Sequence, residues 1–123
     1  MDWEFFKEIE LADRKTGECL MDPFFMDKIM SLRRKFAAPM QITSGYRSKE
    51  TNAAVGGADT SAHLYGKAVD VLIRGGDAYR LVQLAIAEGF TGIGVSQKGL
   101  SRFIHLDTMP NSAEQPRPTI WSY

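Results

Sequence analysis

The chain has 123 residues, 44% hydrophobic and 24% charged, the composition of one soluble domain large enough to bury a core without help from a disulfide or a metal. Its 15 basic and 15 acidic side chains cancel to a net charge of 0, and with no basic run present, nucleic acid is excluded as the expected partner. Cys19 has no second cysteine to pair with, no apolar run reaches the roughly 20 residues that span a bilayer, and Met1-Asp2-Trp3-Glu4 lacks the features of a signal peptide. The expectation is synthesis in the cytoplasm, no membrane partner, and a monomer that reaches any external site through another factor.

Asp2 to Leu11, dense in aromatic and acidic residues, is expected to form a short element before a polar turn through Asp13 to Glu18. Pro23 suits the first turn of a helix. Phe25, Ile29, Leu32 and Phe36 continue it at helical spacing, with Arg33, Arg34 and Lys35 at its C-terminal end. Pro39 stops that helix, Met40 to Thr43 alternate as a half-buried strand, and Ser44-Gly45-Tyr46 turn the chain. Asn52 to Thr60 reads mostly as loop, whereas Ala68 to Ile73 has the β-branched density of a buried strand, interrupted by Asp70. Asp77 is expected to cap a second helix that runs through Glu88 and ends at Gly89. Thr91 to Val95 and Arg102 to Asp107 read as an antiparallel hairpin, and Pro110 to Pro118 as a closing loop. This order predicts an α+β fold, helices packed on an antiparallel sheet, with residues 1–123 forming a single domain.

Both histidines stand near carboxylates in apolar surroundings: His63 seven residues before Asp70, and His105 two residues before Asp107. A carboxylate in a buried strand is costly unless it is paired, hydrogen-bonded or metal-bound, so Asp70 requires a partner. Two imidazoles and a carboxylate suit zinc and leave a fourth position for water, whose pKa the metal lowers to about 7. The plainer reading, histidines satisfied by ordinary neighbours, stands beside this one on spacing alone. Met21, Met26, Met30 and Phe24-Phe25 read as core filling, and Cys19 as inert.

Four segments together carry a resemblance: Ile42-Thr43-Ser44-Gly45-Tyr46-Arg47-Ser48, Asn52 with Val55-Gly56-Gly57-Ala58, Ser61-x-His63-x-x-Gly66-x-Ala68-x-Asp70, and Phe103-x-His105-x-Asp107. From Met21 onward the chain resembles the zinc D-alanyl-D-alanine carboxypeptidase family of peptidoglycan peptidases. That family includes small phage endolysins and shares its fold with hedgehog signalling domains. The resemblance implies one zinc ion held by His63, Asp70 and His105, and it places Arg47 at the substrate, as a donor to a carboxylate or to the developing oxyanion. Ser61 and Tyr65 are expected at the substrate as well, and Tyr65 and Trp121 read either as cleft-lining residues or as plain buried aromatics.

One branch of the family carries an acid three residues before the final histidine, but that position here is Arg102. Asp107 is the replacement, because side chains two apart on a strand share a face. Its role stays open between a general base and a carboxylate that orients the His105 ring. The implied reaction is amide hydrolysis in the peptidoglycan stem peptide, as carboxypeptidase or endopeptidase. The alternatives are a zinc-binding domain of the same fold without turnover, and a phage tail-associated component.

Overall fold

Along three central strands every second residue is large and apolar, and those between, Leu72 apart, are acidic, histidine, small or aromatic. That alternation assigns the two faces of a sheet. The computed structural model describes residues 2–123. Among them is a sheet of five strands, β1 (Gln41–Ser44), β2 (Ala68–Leu72), β3 (Gly92–Ser96), β4 (Phe103–Asp107) and β5 (Thr119–Ser122), in the order β1-β2-β4-β3-β5. Helices α1 (Glu8–Leu11), α2 (Pro23–Phe36), α3 (Lys49–Ala54) and α4 (Gly75–Glu88) and a 3-10 turn, Ala62–Tyr65, complete the α+β domain.

Val69 and Val71 of β2, Ile93 of β3, and Ile104 and Leu106 of β4 join one core with Phe25, Ile29, Leu32 and Phe36 of α2 and Leu81 and Ala85 of α4. The expected helical face of α2 is therefore the buried one. Asp22 caps that helix by accepting from the Phe25 amide at 2.9 Å, and Ala37 ends it in the left-handed region at φ 59°.

Three expectations are corrected. Asn52 to Thr60 does not begin as loop, because α3 extends to Ala54. It is started by Ser48, whose hydroxyl accepts from the Thr51 amide at 3.2 Å, and it is too short to show a hydrophobic period. Asp77 is not the cap of α4. The helix starts two residues earlier at Gly75, where a Gly-Gly pair gives no start signal, and Asp77 falls in its first turn. The sheet is not wholly antiparallel: β5 follows the proline-rich loop and lies parallel to β3 at the edge. Among the described residues no helix is long and apolar enough to cross a membrane.

Candidate active site

The face turned away from α2 and α4 carries the polar residues of the strands. One row crosses the whole sheet: Ser44 opposite Asp70, Asp70 opposite His105, His105 opposite Gly94, and Gly94 opposite Trp121. A second row sets Ala68, Asp107, Gly92 and Thr119 side by side. His105 and Asp107 thus share a face, as a strand requires, and Asp107 Oδ2 lies 2.7 Å from His105 Nε2.

His63 arrives from above the sheet on the 3-10 turn, whose start is capped by the Ser61 hydroxyl accepting from the His63 amide at 3.3 Å. Its Nδ1 donates to the Gly45 carbonyl at 2.7 Å, so its lone pair lies on Nε2, 3.3 Å from Asp70 Oδ1. His105 approaches the same oxygen through Nδ1 at 3.0 Å, while Asp107, an ionised acceptor, accepts a hydrogen bond from Nε2–H. Three buried donor atoms therefore converge, all within 4.8 Å of one another. Tetrahedral zinc with bonds of about 2.0 to 2.2 Å sets its ligand atoms about 3.4 Å apart, so the 3.0 and 3.3 Å separations leave the donors close to the spacing such an ion requires. The far nitrogen of each imidazole is already anchored, the usual support for a metal-binding histidine.

Burial alone raises the Asp70 pKa, but with no metal between them the His105 and His63 rings, when protonated toward it, outweigh that and hold the carboxyl well below the usual aspartate range. Burial also keeps His63 below the ordinary histidine value, with Asp70 offsetting only part of the effect. His105 feels the same burial, yet Asp107 and Asp70 lift it above that value. For Asp107, burial is overcome by His105 and Arg117, which hold it at about 2.

Arg47 enters the site from the segment between β1 and α3. Its guanidinium donates to Ser44 Oγ at 3.0 Å, to Asn52 Oδ1 at 3.3 Å and, weakly, to Asp70 Oδ2 at 3.4 Å. Asp13 holds that segment in place. Its buried carboxylate accepts from the Ser48 amide at 2.8 Å and the Thr51 hydroxyl at 2.9 Å, tying the N-terminal turn to the start of α3. Sequence reading placed Asp13 in a polar turn and gave no sign of this span of 35 residues.

The cleft above the donors has a volume of about 460 Å³, with Arg47, Ser61, His63, Asp70, His105 and Trp121 among its lining residues. The Trp121 ring packs on that of His105 with centroids 5.1 Å apart. Tyr65 does not join them. In a turn of about three residues it cannot face the same way as His63, and it stands 54% exposed away from the cleft. Arg102 lies elsewhere, against a separate apolar groove beside α4.

Asp107 is fully buried at 0% exposure. Oδ1 accepts from Arg117 Nε at 3.0 Å and the Met109 amide at 3.1 Å, while Oδ2 accepts from Arg117 Nη2 at 2.9 Å and His105 Nε2 at 2.7 Å. Arg117 and Gly92 were missed by sequence reading, since neither lies in a motif that bears on the metal ligands.

Two histidines and an aspartate converging in an open cleft, with an arginine beside them, define the class of a metallohydrolase domain. Residues 5–107 match the family described as Peptidase M15, and the chain belongs to that family. These are the zinc peptidases its motifs resemble. The chain is 32% identical over 109 residues to the probable peptidoglycan L,D-endopeptidase MepK of Haemophilus influenzae, covering 81% of this chain and 58% of that protein. It is 32% identical over 113 residues to the peptidoglycan L,D-endopeptidase MepK of Escherichia coli, covering 86% of this chain and 59% of the relative. The chain therefore spans less than two-thirds of the length of these relatives.

Proposed function

We propose that this chain is a zinc-dependent endopeptidase acting on the stem peptides of peptidoglycan, at the cell wall. The observation that carries the reading is the convergence of His63 Nε2, Asp70 Oδ1 and His105 Nδ1, with each imidazole oriented by a partner at its far nitrogen. The names of the relatives support the substrate and favour an internal bond over a terminal D-alanine.

His63, Asp70 and His105 hold the metal. Zinc there supplies a Lewis acid and acidifies water to a pKa of about 7, so nucleophile is available near neutral pH without a strong base. Arg47, braced by Ser44 and Asn52, keeps donor capacity toward the cleft for a substrate carboxylate or the oxyanion that develops on the scissile carbonyl. Ser61 shapes the cleft wall by fixing the turn that carries His63. Asp107 acts as the orienting carboxylate rather than the base, because four donors already occupy its two oxygens. The site is built from one chain, so a monomer suffices.

One observation favours a second reading, a zinc domain that binds stem peptides without cutting them: among the described cleft residues the acids are Asp70 and Asp107, and neither is free. One experiment separates the two. Purified protein incubated with peptidoglycan, with and without chelator, should release peptide fragments whose masses identify the bond cut, and added zinc should restore the release. Binding to peptidoglycan with no fragments at any zinc concentration would replace the first reading with the second.

A further inference from the structure

Arg117 sits in the loop between β4 and β5, yet its side chain is only 7% exposed and reaches the cleft. Its Nε and Nη2 grip the two oxygens of Asp107 at 3.0 and 2.9 Å, a two-point contact that a planar guanidinium makes and an ammonium does not. Trp121 lies against the same guanidinium, 5.1 Å from its carbon to the ring centroid, and its indole also packs on His105. Gly92 and Gly94 make room for this assembly on β3. A Cβ at Gly92 would strike the Asp107 carboxylate, and one at Gly94 would come within 2.9 Å of the Trp121 ring and 3.0 Å of the His105 Cβ.

An imidazole that binds a metal through one nitrogen carries its proton on the other, so whatever accepts that proton selects the ligand atom. Asp107 is that acceptor for His105, and besides Arg117 its carboxylate meets only the Met109 amide, on Oδ1, which leaves the Oδ2 that faces His105 able to swing. The two-point grip removes that freedom. We propose that Arg117 is a positioning residue: by fixing the plane of Asp107 it holds His105 with Nε2 as donor and Nδ1 turned toward Asp70 and His63. The proposal rests on the ligand assignment above and adds the residue that enforces it.

Zinc affinity measured by chelator competition tests this on wild type, Arg117→Met, Arg117→Lys and His105→Ala, with thermal melting to establish the folded fraction. Arg117→Met should bind zinc about 10 to 100-fold more weakly, the range for losing an orienting partner of a ligand histidine, with Arg117→Lys in between. Nitrogen-15 NMR of the zinc-loaded wild type, which needs no variant, should show His105 bound through Nδ1 with its proton on Nε2. A merely structural arginine would lower the melting temperature without changing the affinity of the folded protein. Unchanged affinity in both Arg117 variants, with His105→Ala weakened, overturns the positioning role alone, as does zinc found on Nε2. Wild-type affinity in His105→Ala overturns the ligand assignment and this proposal with it.

Discussion

Asp70 and His105 face one another across β2 and β4, with Oδ1 of the first 3.0 Å from Nδ1 of the second. The strand register sets this meeting, and His63 is brought to the same oxygen by a separate turn. Loss of either histidine therefore leaves two donors where three are needed. His63→Ala and His105→Ala should each weaken zinc binding by more than about 100-fold, beyond what an orienting partner contributes. Elemental analysis after dialysis checks this. One tightly held zinc per chain in both variants would remove these residues from the metal site.

Arg47 makes its best contacts with Ser44 and Asn52, and its contact with Asp70 is long at 3.4 Å. Its removal should leave the fold and zinc content near wild type. Hydrolysis of a stem-peptide fragment by Arg47→Ala should fall about 10² to 10³-fold, the loss that follows removal of one donor to a developing oxyanion. Unchanged kcat/KM would leave Arg47 without a role at the substrate.

Asp13 is one of the carboxylates whose protonation costs stability at acid pH. Burial alone raises its pKa, but amide donors from Ser48 and Thr16 and hydroxyls from Thr51 and Thr16 carry it well below the ordinary aspartate value. Because the folded value lies below the unfolded one of about 3.9, the stabilisation is present above that pH and is lost as pH falls through and below it. Asp13→Asn presents an amide to donors and should cost about 1 to 3 kcal/mol near neutrality. Melting curves across pH should show the acid limb flattened in the variant. Parallel curves for the two proteins would contradict this.

Much of this site could be read from the chain because its chemistry follows local periodicity. Val69, Asp70 and Val71, and Ile104, His105 and Leu106, alternate so clearly that strand and face are fixed together, and the structure places the polar members in one row. The residues that escaped act over long sequence separations. Arg117 reaches Asp107 from the loop before an edge strand, and Asp13 reaches Ser48 across 35 residues of sequence; neither contact leaves a periodic trace. Gly92 and Gly94 carry no side chain to signal that their emptiness accommodates Asp107 and Trp121. Tyr65, expected at the substrate, stands outside the cleft because the 3-10 turn does not face it the same way as His63.

Asp107→Asn tests the orienting role proposed for that residue against that of a general base. All four groups that meet the carboxylate are donors: Arg117 Nε and Nη2, the Met109 amide and His105 Nε2. Asparagine offers one acceptor oxygen and one NH₂, so whichever way it turns, an NH₂ faces a donor. The arrangement that keeps the oxygen toward Nε and Met109 puts the NH₂ against both Arg117 Nη2, which can only donate and must move aside, and His105, which relieves its share of the clash by accepting on Nε2. That moves the ring proton to Nδ1, the atom assigned to zinc. An orienting Asp107 therefore predicts zinc affinity weakened about 10 to 100-fold, with turnover recovered as zinc is raised to saturation. A general base predicts the reverse: affinity near wild type and kcat lower by about 10² to 10⁴-fold at saturating zinc. Chelator competition and kcat measured on the same preparation read both quantities, and the closed shell of donors around Asp107 favours the first result.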